Sequence, residues 1–142
     1  IRCLYKGKAG VCRLFFPYGA GQSKERLVPR LMNSIWMRQK IDLSGSNGRP
    51  LINPIYIDDL CDQLLKTTMN RDAGIALFGG AEVLSVKQLA QEIGSVLDVE
   101  PIFDYRTDAK LNMYCEGQGR ISLRNGLSRV AEQFLRSGDE AI

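Results

Sequence analysis

With 142 residues, the chain has room for one folded domain with a real core and too little for two. Hydrophobic residues make up 44% and charged residues 25%, the balance of an ordinary globular protein, which excludes wholesale disorder. A net charge of +3, scattered without a basic stripe, excludes nucleic acid as an expected partner.

In chain order, Val11-Cys-Arg-Leu-Phe-Phe16 is an apolar run closed by Pro17 and Gly19, and reads as a strand entering a loop. Leu27, Val28, Leu31, Ile35 and Trp36 recur at helical spacing, which predicts a helix over 28–39. Pro29 suits its first turn, where a missing N–H costs nothing. A short strand over 41–44 leads into the turn cluster Gly45-Ser-Asn-Gly48, and a second strand is expected over 51–57, with Pro54 marking an edge or a bulge. Asp58 and Asp59 open a helix that runs to Met69, since acidic residues suit the positive end of its dipole and cap its start.

A strand over 75–78 ends in the tight turn of Gly79 and Gly80. Ser85 is a good N-cap for a helix over 86–97, which buries Leu89, Ala90, Ile93 and Leu97 on one face. A strand over 101–105 and a helix over 122–135, with Leu123, Leu127, Val130, Ala131 and Phe134 inward, complete the chain. The order of strands and helices is α/β, and no linker interrupts it, so 1–142 reads as a single domain.

Several chemistries are excluded. Histidine is absent, which removes Ser-His and Cys-His catalysis. Cys3, Cys12, Cys61 and Cys115 form no Cys-x-x-Cys pair, so no metal site is expected; reduced, mostly buried thiols in a cytoplasmic protein are. No apolar run approaches the roughly 20 residues of a membrane span, and no signal-peptide core opens the chain, so no membrane partner is expected. Asp58 and Asp59, adjacent at a helix start, point in different directions and do not form an acid/base pair.

Four ordered segments carry a resemblance: Arg13-Leu-Phe-Phe-Pro-Tyr-Gly-Ala-Gly-Gln22, Leu27-Val-Pro-Arg-Leu31, Asn53-Pro-Ile-Tyr-Ile-Asp-Asp59, and Gly79-Gly80 with the later Ser122-Leu-Arg-Asn-Gly-Leu127. Together they resemble the C-terminal half of the extended short-chain dehydrogenases, the NAD(P)-dependent epimerase/dehydratase family that acts mostly on nucleotide sugars. The resemblance implies the C-terminal part of a Rossmann-like epimerase/dehydratase fold, without its N-terminal dinucleotide-binding strands.

It also implies a set of site residues. The position of Phe16 often carries an Asn that hydrogen-bonds the substrate, and Pro17 would lie against the nicotinamide in a complete enzyme. Arg26, Leu27 and Val28 match the helix start that clamps a nucleotide diphosphate, where backbone N–H groups favour an anion. Arg30, inside that helix, reads as a surface residue. Asn53 is expected in the cleft or in a turn or cross-strand hydrogen bond. Many members carry a phosphate-binding Arg at the position of Ile52; Arg49 is the nearest substitute, although three extended residues span about 10 Å. The lid region is compressed to Gly117-Gln-Gly-Arg120.

The chemical half of that family has no match here. The chain opens at Ile1, downstream of where the family keeps its glycine-rich turn and its catalytic Tyr-x-x-x-Lys. Tyr5 has Ala9 four residues on, not Lys. The chain is therefore expected to be the substrate-binding portion of such a protein, with no catalytic residue and no cofactor of its own, NAD(P) being implied for the parent family. A piece of a longer protein, a unit acting with a separate partner and a decayed gene product all fit. A second reading is a non-catalytic protein-interaction module that keeps the family core. The resemblance also implies that the strand at 11–16 lies between the family's fifth strand and the strand at 75–78; with the fifth strand absent, the exposed edge should recruit a second copy, giving a homodimer.

Overall fold

The computed structural model describes residues 10–44, 50–70, 74–106, 112–117 and 119–139, with side chains described as far as 136. Its elements are β1 (Gly10–Leu14), β2 (Pro17–Tyr18), α1 (Leu27–Trp36), β3 (Lys40–Ser44), β4 (Leu51–Ile52), β5 (Ile55–Tyr56), α2 (Ile57–Met69), β6 (Gly74–Phe78), β7 (Leu84–Ser85), α3 (Val86–Leu97), β8 (Ile102–Arg106) and α4 (Leu123–Asp139). The α/β order expected from the sequence is present. The turn at 45–48, Arg49, Cys3 and the Tyr5 region lie outside the described residues.

β1 pairs with β6, β2 with β5 and β3 with β8, all in parallel, whereas β4 and β7 are antiparallel. Parallel partners need long crossovers, and α1 to α3 supply them. Three local differences from the sequence reading have clear causes. The first strand ends at Leu14 because Phe16 takes a positive φ of 48°, which re-aims the chain so that Pro17 and Tyr18 pair with β5. The strand expected over 51–57 is two: Ile52 joins Leu84 in one ladder, Ile55 joins Pro17 in another, and Pro54, which has no N–H to give, lies between them. Helix α1 stops at Trp36 because Arg38 is left-handed, φ 51°, and the Gln39 N–H closes onto the Ser34 carbonyl at 2.8 Å.

The main core lies where α1, α3 and α4 meet β3. Val28, Leu31, Met32 and Ile35 of α1 pack with Leu89, Ala90, Ile93 and Leu97 of α3 and Leu123, Leu127, Val130 and Ala131 of α4. Each set follows the 3.6-residue period, so one stripe per helix is buried. Helix α3 starts in a capping box, its Ser85 hydroxyl accepting the Gln88 N–H while the Gln88 side chain accepts the Ser85 N–H. A smaller cluster of Ile55, Leu60 and Phe78 joins α2 to β5 and β6.

The sequence expectation that Asp caps α2 is corrected. Its N-cap is Tyr56 without a side-chain bond. Asp59 instead reaches across the fold, Oδ2 accepting the N–H groups of Arg120 at 2.9 Å and Ile121 at 2.8 Å, and Asp58 pairs with Arg129 at 3.1 Å. The thiols differ too. Cys115 is buried, but Cys12 and Cys61 are exposed, because β1 is exposed throughout and Cys61 faces outward from α2.

Candidate functional site

Helix starts are natural anion sites, and of the four among the described residues two are closed from within and a third is guarded by acids. The start of α3 is closed by its capping box. That of α4 is closed by carboxylates: Asp59 takes the Arg120 and Ile121 N–H groups, and Glu82 Oε1 takes that of Leu123 at 2.7 Å. The first turn of α2 carries Asp58 and Asp59, which repel an anion. Helix α1 differs. No side chain caps it, and its first turn holds no acid.

That open start borders a cleft. One cavity of about 180 Å³ is lined by Phe16, Leu27, Arg30, Pro50, Ile52 and Met113, among others. A second, of about 410 Å³, is lined by Arg30, Ser34, Lys40 and Arg106. Leu27, Arg30, Asp42, Ser44 and Val86 line both, so the two form one groove between α1, β3 and the start of α3. The larger part falls within the roughly 300–1,000 Å³ of small-molecule sites. Its walls are apolar at the Phe16 end and charged at the Arg106 end. There Arg106 pairs with Asp42 at 2.6 Å, and Lys87 stands 5.5 Å above the Tyr105 ring.

The structure sorts the residues expected from sequence. Phe16 and Leu27 meet in the groove with Ile52. Phe16 holds an uncommon left-handed backbone, which Asn tolerates better than an aromatic residue. Val28 is 2% exposed and its side chain belongs to the core, which leaves only its N–H toward an anion. Arg26 is the exposed N-cap of α1 and lines neither cavity. Asn53 is fully buried and held by Gly80 and Cys115. Pro17 is a β2 residue paired with Ile55. Arg49 is outside the described residues.

Arg30, Asp42, Ser44, Val86 and Arg106 were not read from the sequence as site residues. A signal existed for some of them. Arg30 lies one helical turn beyond Arg26, and Asp42 and Ser44 alternate with the buried Ile41 and Leu43, so a polar face of that strand had to meet something.

A dinucleotide does not fit the described residues. It needs a glycine-rich strand-to-helix turn with free N–H groups. Gly19-Ala-Gly21 follows β2 but leaves residues 22–26 between it and α1, while Gly117-Gln-Gly-Arg-Ile-Ser122 ahead of α4 follows no regular strand, and the N–H groups of Arg120, Ile121 and Leu123 are already bonded to carboxylates. Tyr18 is no substitute for a catalytic tyrosine. Its hydroxyl, buried, donates to the Leu123 carbonyl at 3.3 Å, and burial, then the charges of Glu82, Tyr56 and Asp59, push its pKa up. An active tyrosinate needs the opposite shift. A separate cavity of about 210 Å³ between the 19–24 loop and α4 touches none of the candidate residues. No described helix is long and apolar enough to cross a membrane.

No family model and no curated protein matches the sequence. Solved structures do match in fold. A dTDP-glucose 4,6-dehydratase from Bacillus anthracis, in complex with NAD, superposes with a TM-score of 0.76 at 16% identity, over 92% of this chain and 45% of that one. The UDP-glucose 4-epimerase of Thermotoga maritima with UDP-glucose gives 0.73 at 20% identity, over 90% and 46%. That of Thermus thermophilus with NAD gives 0.77 at 12%, over 94% and 48%. The chain therefore has the Rossmann-like epimerase/dehydratase fold in part, and spans a little under half the length of the structures it matches.

Proposed function

We propose that this chain is the substrate-binding portion of an epimerase/dehydratase-like protein and that its groove holds a nucleoside diphosphate, with or without a sugar. The observation that carries this reading is the uncapped, acid-free start of α1 beside Arg30 on the wall of the groove. A pyrophosphate accepts from backbone N–H groups and from a guanidinium fork, and each gains from the other's positive charge. Leu27 and Val86 offer apolar walls to the attached base or sugar. Arg26, at the N-cap, adds long-range attraction.

No hydride transfer is assigned to these 142 residues, which hold neither the glycine turn nor the Tyr-x-x-x-Lys of the family they resemble. Calorimetric titration tests both halves of the reading. Nucleoside diphosphates should bind and NAD(H) should not. Micromolar affinity for NAD(H), or none for any nucleoside diphosphate, overturns it.

A second copy of the chain is the proposed partner. β1 is exposed along its length, and the β1–β6 pair shows Val11, Leu14, Ile75 and Leu77 to solvent, Ile75 being 63% exposed. Parallel sheets are rarely left with an open face, so this surface favours association.

A further inference from the structure

The groove contains a carboxylate for which phosphate has no use. Asp42 lines both cavities, among Arg30, Lys40 and Arg106, and would repel an anion placed beside it. Arg106 holds its Oδ2 at 2.6 Å, and no other side chain among the described residues pairs with it. Oδ1 is thus available, and the carboxylate as a whole has acceptor capacity to spare. A polar row of this kind, Asp42 and Ser44 on β3 with Arg106 on β8, suits the edge of a planar ring, and Leu27 and Val86 add apolar lining beside it.

The geometry points to Asp42 as the reader of the nucleotide's base, and to guanine as the base it selects. This rests on the nucleoside-diphosphate reading of the groove. Guanine presents N1–H and the N2 amino group side by side, a fork that matches the two oxygens of one carboxylate. Its O6, next in line, accepts from a guanidinium, and Arg106 stands on that flank of Asp42. Uracil and thymine offer one N3–H between two carbonyl oxygens, so a carboxylate that takes the proton sets its other oxygen against O2 or O4. Adenine and cytosine each place a ring-nitrogen acceptor beside their amino group, with the same conflict. Of the five bases, guanine alone satisfies both oxygens.

Calorimetry of the chain with GDP, UDP, dTDP, ADP and CDP at one ionic strength tests this. A bidentate base contact discriminates by roughly ten- to a hundredfold, so GDP should bind at least about tenfold more tightly than the others. Asp42→Asn, which turns one acceptor into a donor, should abolish the preference; circular dichroism should show the fold unchanged, because Asp42 is exposed. UDP or dTDP binding as tightly as GDP, or a GDP preference that survives in Asp42→Asn, overturns the assignment and leaves the nucleotide groove standing. Failure of all five to bind removes both.

Discussion

Asn53 Nδ2 donates to the Cys115 carbonyl at 2.8 Å, joining positions 62 apart in sequence. The same amide donates to the Gly80 carbonyl at 3.0 Å, and its Oδ1 accepts the Cys115 N–H at 3.3 Å. Chain crossings this close need glycine: a Cβ on Gly80 would strike the Pro54 carbonyl oxygen, and one on Gly117 would strike that of Gly80. Asn53→Ala leaves several buried backbone groups unpaired and should destabilise the fold by about 2–4 kcal/mol. Urea denaturation measures it. A change below about 0.5 kcal/mol, the range of an ordinary surface substitution, would deny Asn53 this clasping role.

Arg30→Ala should weaken nucleoside diphosphate binding by about 1–3 kcal/mol, the cost of losing a charged hydrogen bond. Arg26→Ala should cost less, since Arg26 is exposed and lines neither cavity. Equal losses in the two variants would place the phosphate over the N-cap and not along the groove.

At Phe16 two effects oppose each other. The ring packs against the main core, but the backbone is left-handed, which costs a non-glycine residue about 1–2 kcal/mol. Phe16→Asn loses the packing yet relieves the backbone, whereas Phe16→Ala loses the packing and keeps the strain. Asn should therefore be the more stable variant by about 0.5–1 kcal/mol in chemical denaturation. The reverse order would show that side-chain packing alone governs the position.

The pH dependence at the alkaline end follows from Tyr18. Its folded pKa is raised above the ordinary value of 10.0, by burial first and then by Glu82, Tyr56 and Asp59. The folded state thus holds this proton more tightly than the unfolded chain does. The stabilisation is fully present below pH 10 and declines as pH rises above it. Tyr18→Phe has no proton to lose, so its stability should fall less steeply above pH 10, after a loss of about 0.5–1.5 kcal/mol at neutral pH for the bond to Leu123. Parallel curves for the two proteins between pH 9 and about 11 would contradict this.

Association is tested by sedimentation at micromolar concentration. A dimer is expected, and Ile75→Lys with Leu14→Lys should return it to monomer by placing charge on the open β1–β6 surface. A stable wild-type monomer would refute the proposed partner.

Much of the architecture was legible in the sequence because helices and strands bury one face at a fixed period. Leu89, Ala90, Ile93 and Leu97 marked α3 over its observed span, and Ser85 marked its start. Pro54 marked a disturbance in the strand over 51–57, although that it divides the strand follows from pairing with two different ladders. Phe16 and Leu27, singled out by resemblance, line one groove together with Ile52, the position where the resemblance expected an Arg. Side-chain destinations were not legible. Asp59 read as a cap of its own helix and instead holds the turn before α4, and Arg30, read as a surface residue and indeed exposed, also lines the cleft.

The sequence by itself determined the order of the four helices and the longer strands, the buried stripes of α1, α3 and α4, and the exclusion of histidine chemistry, because periodicity and composition are local properties of the chain. Only the tertiary structure decided which helix start stays open to an anion and which carboxylate faces the groove. Those outcomes depend on pairings such as Asp59 with Arg120 and Asp42 with Arg106, each about 60 residues apart, and no local rule links such distant positions.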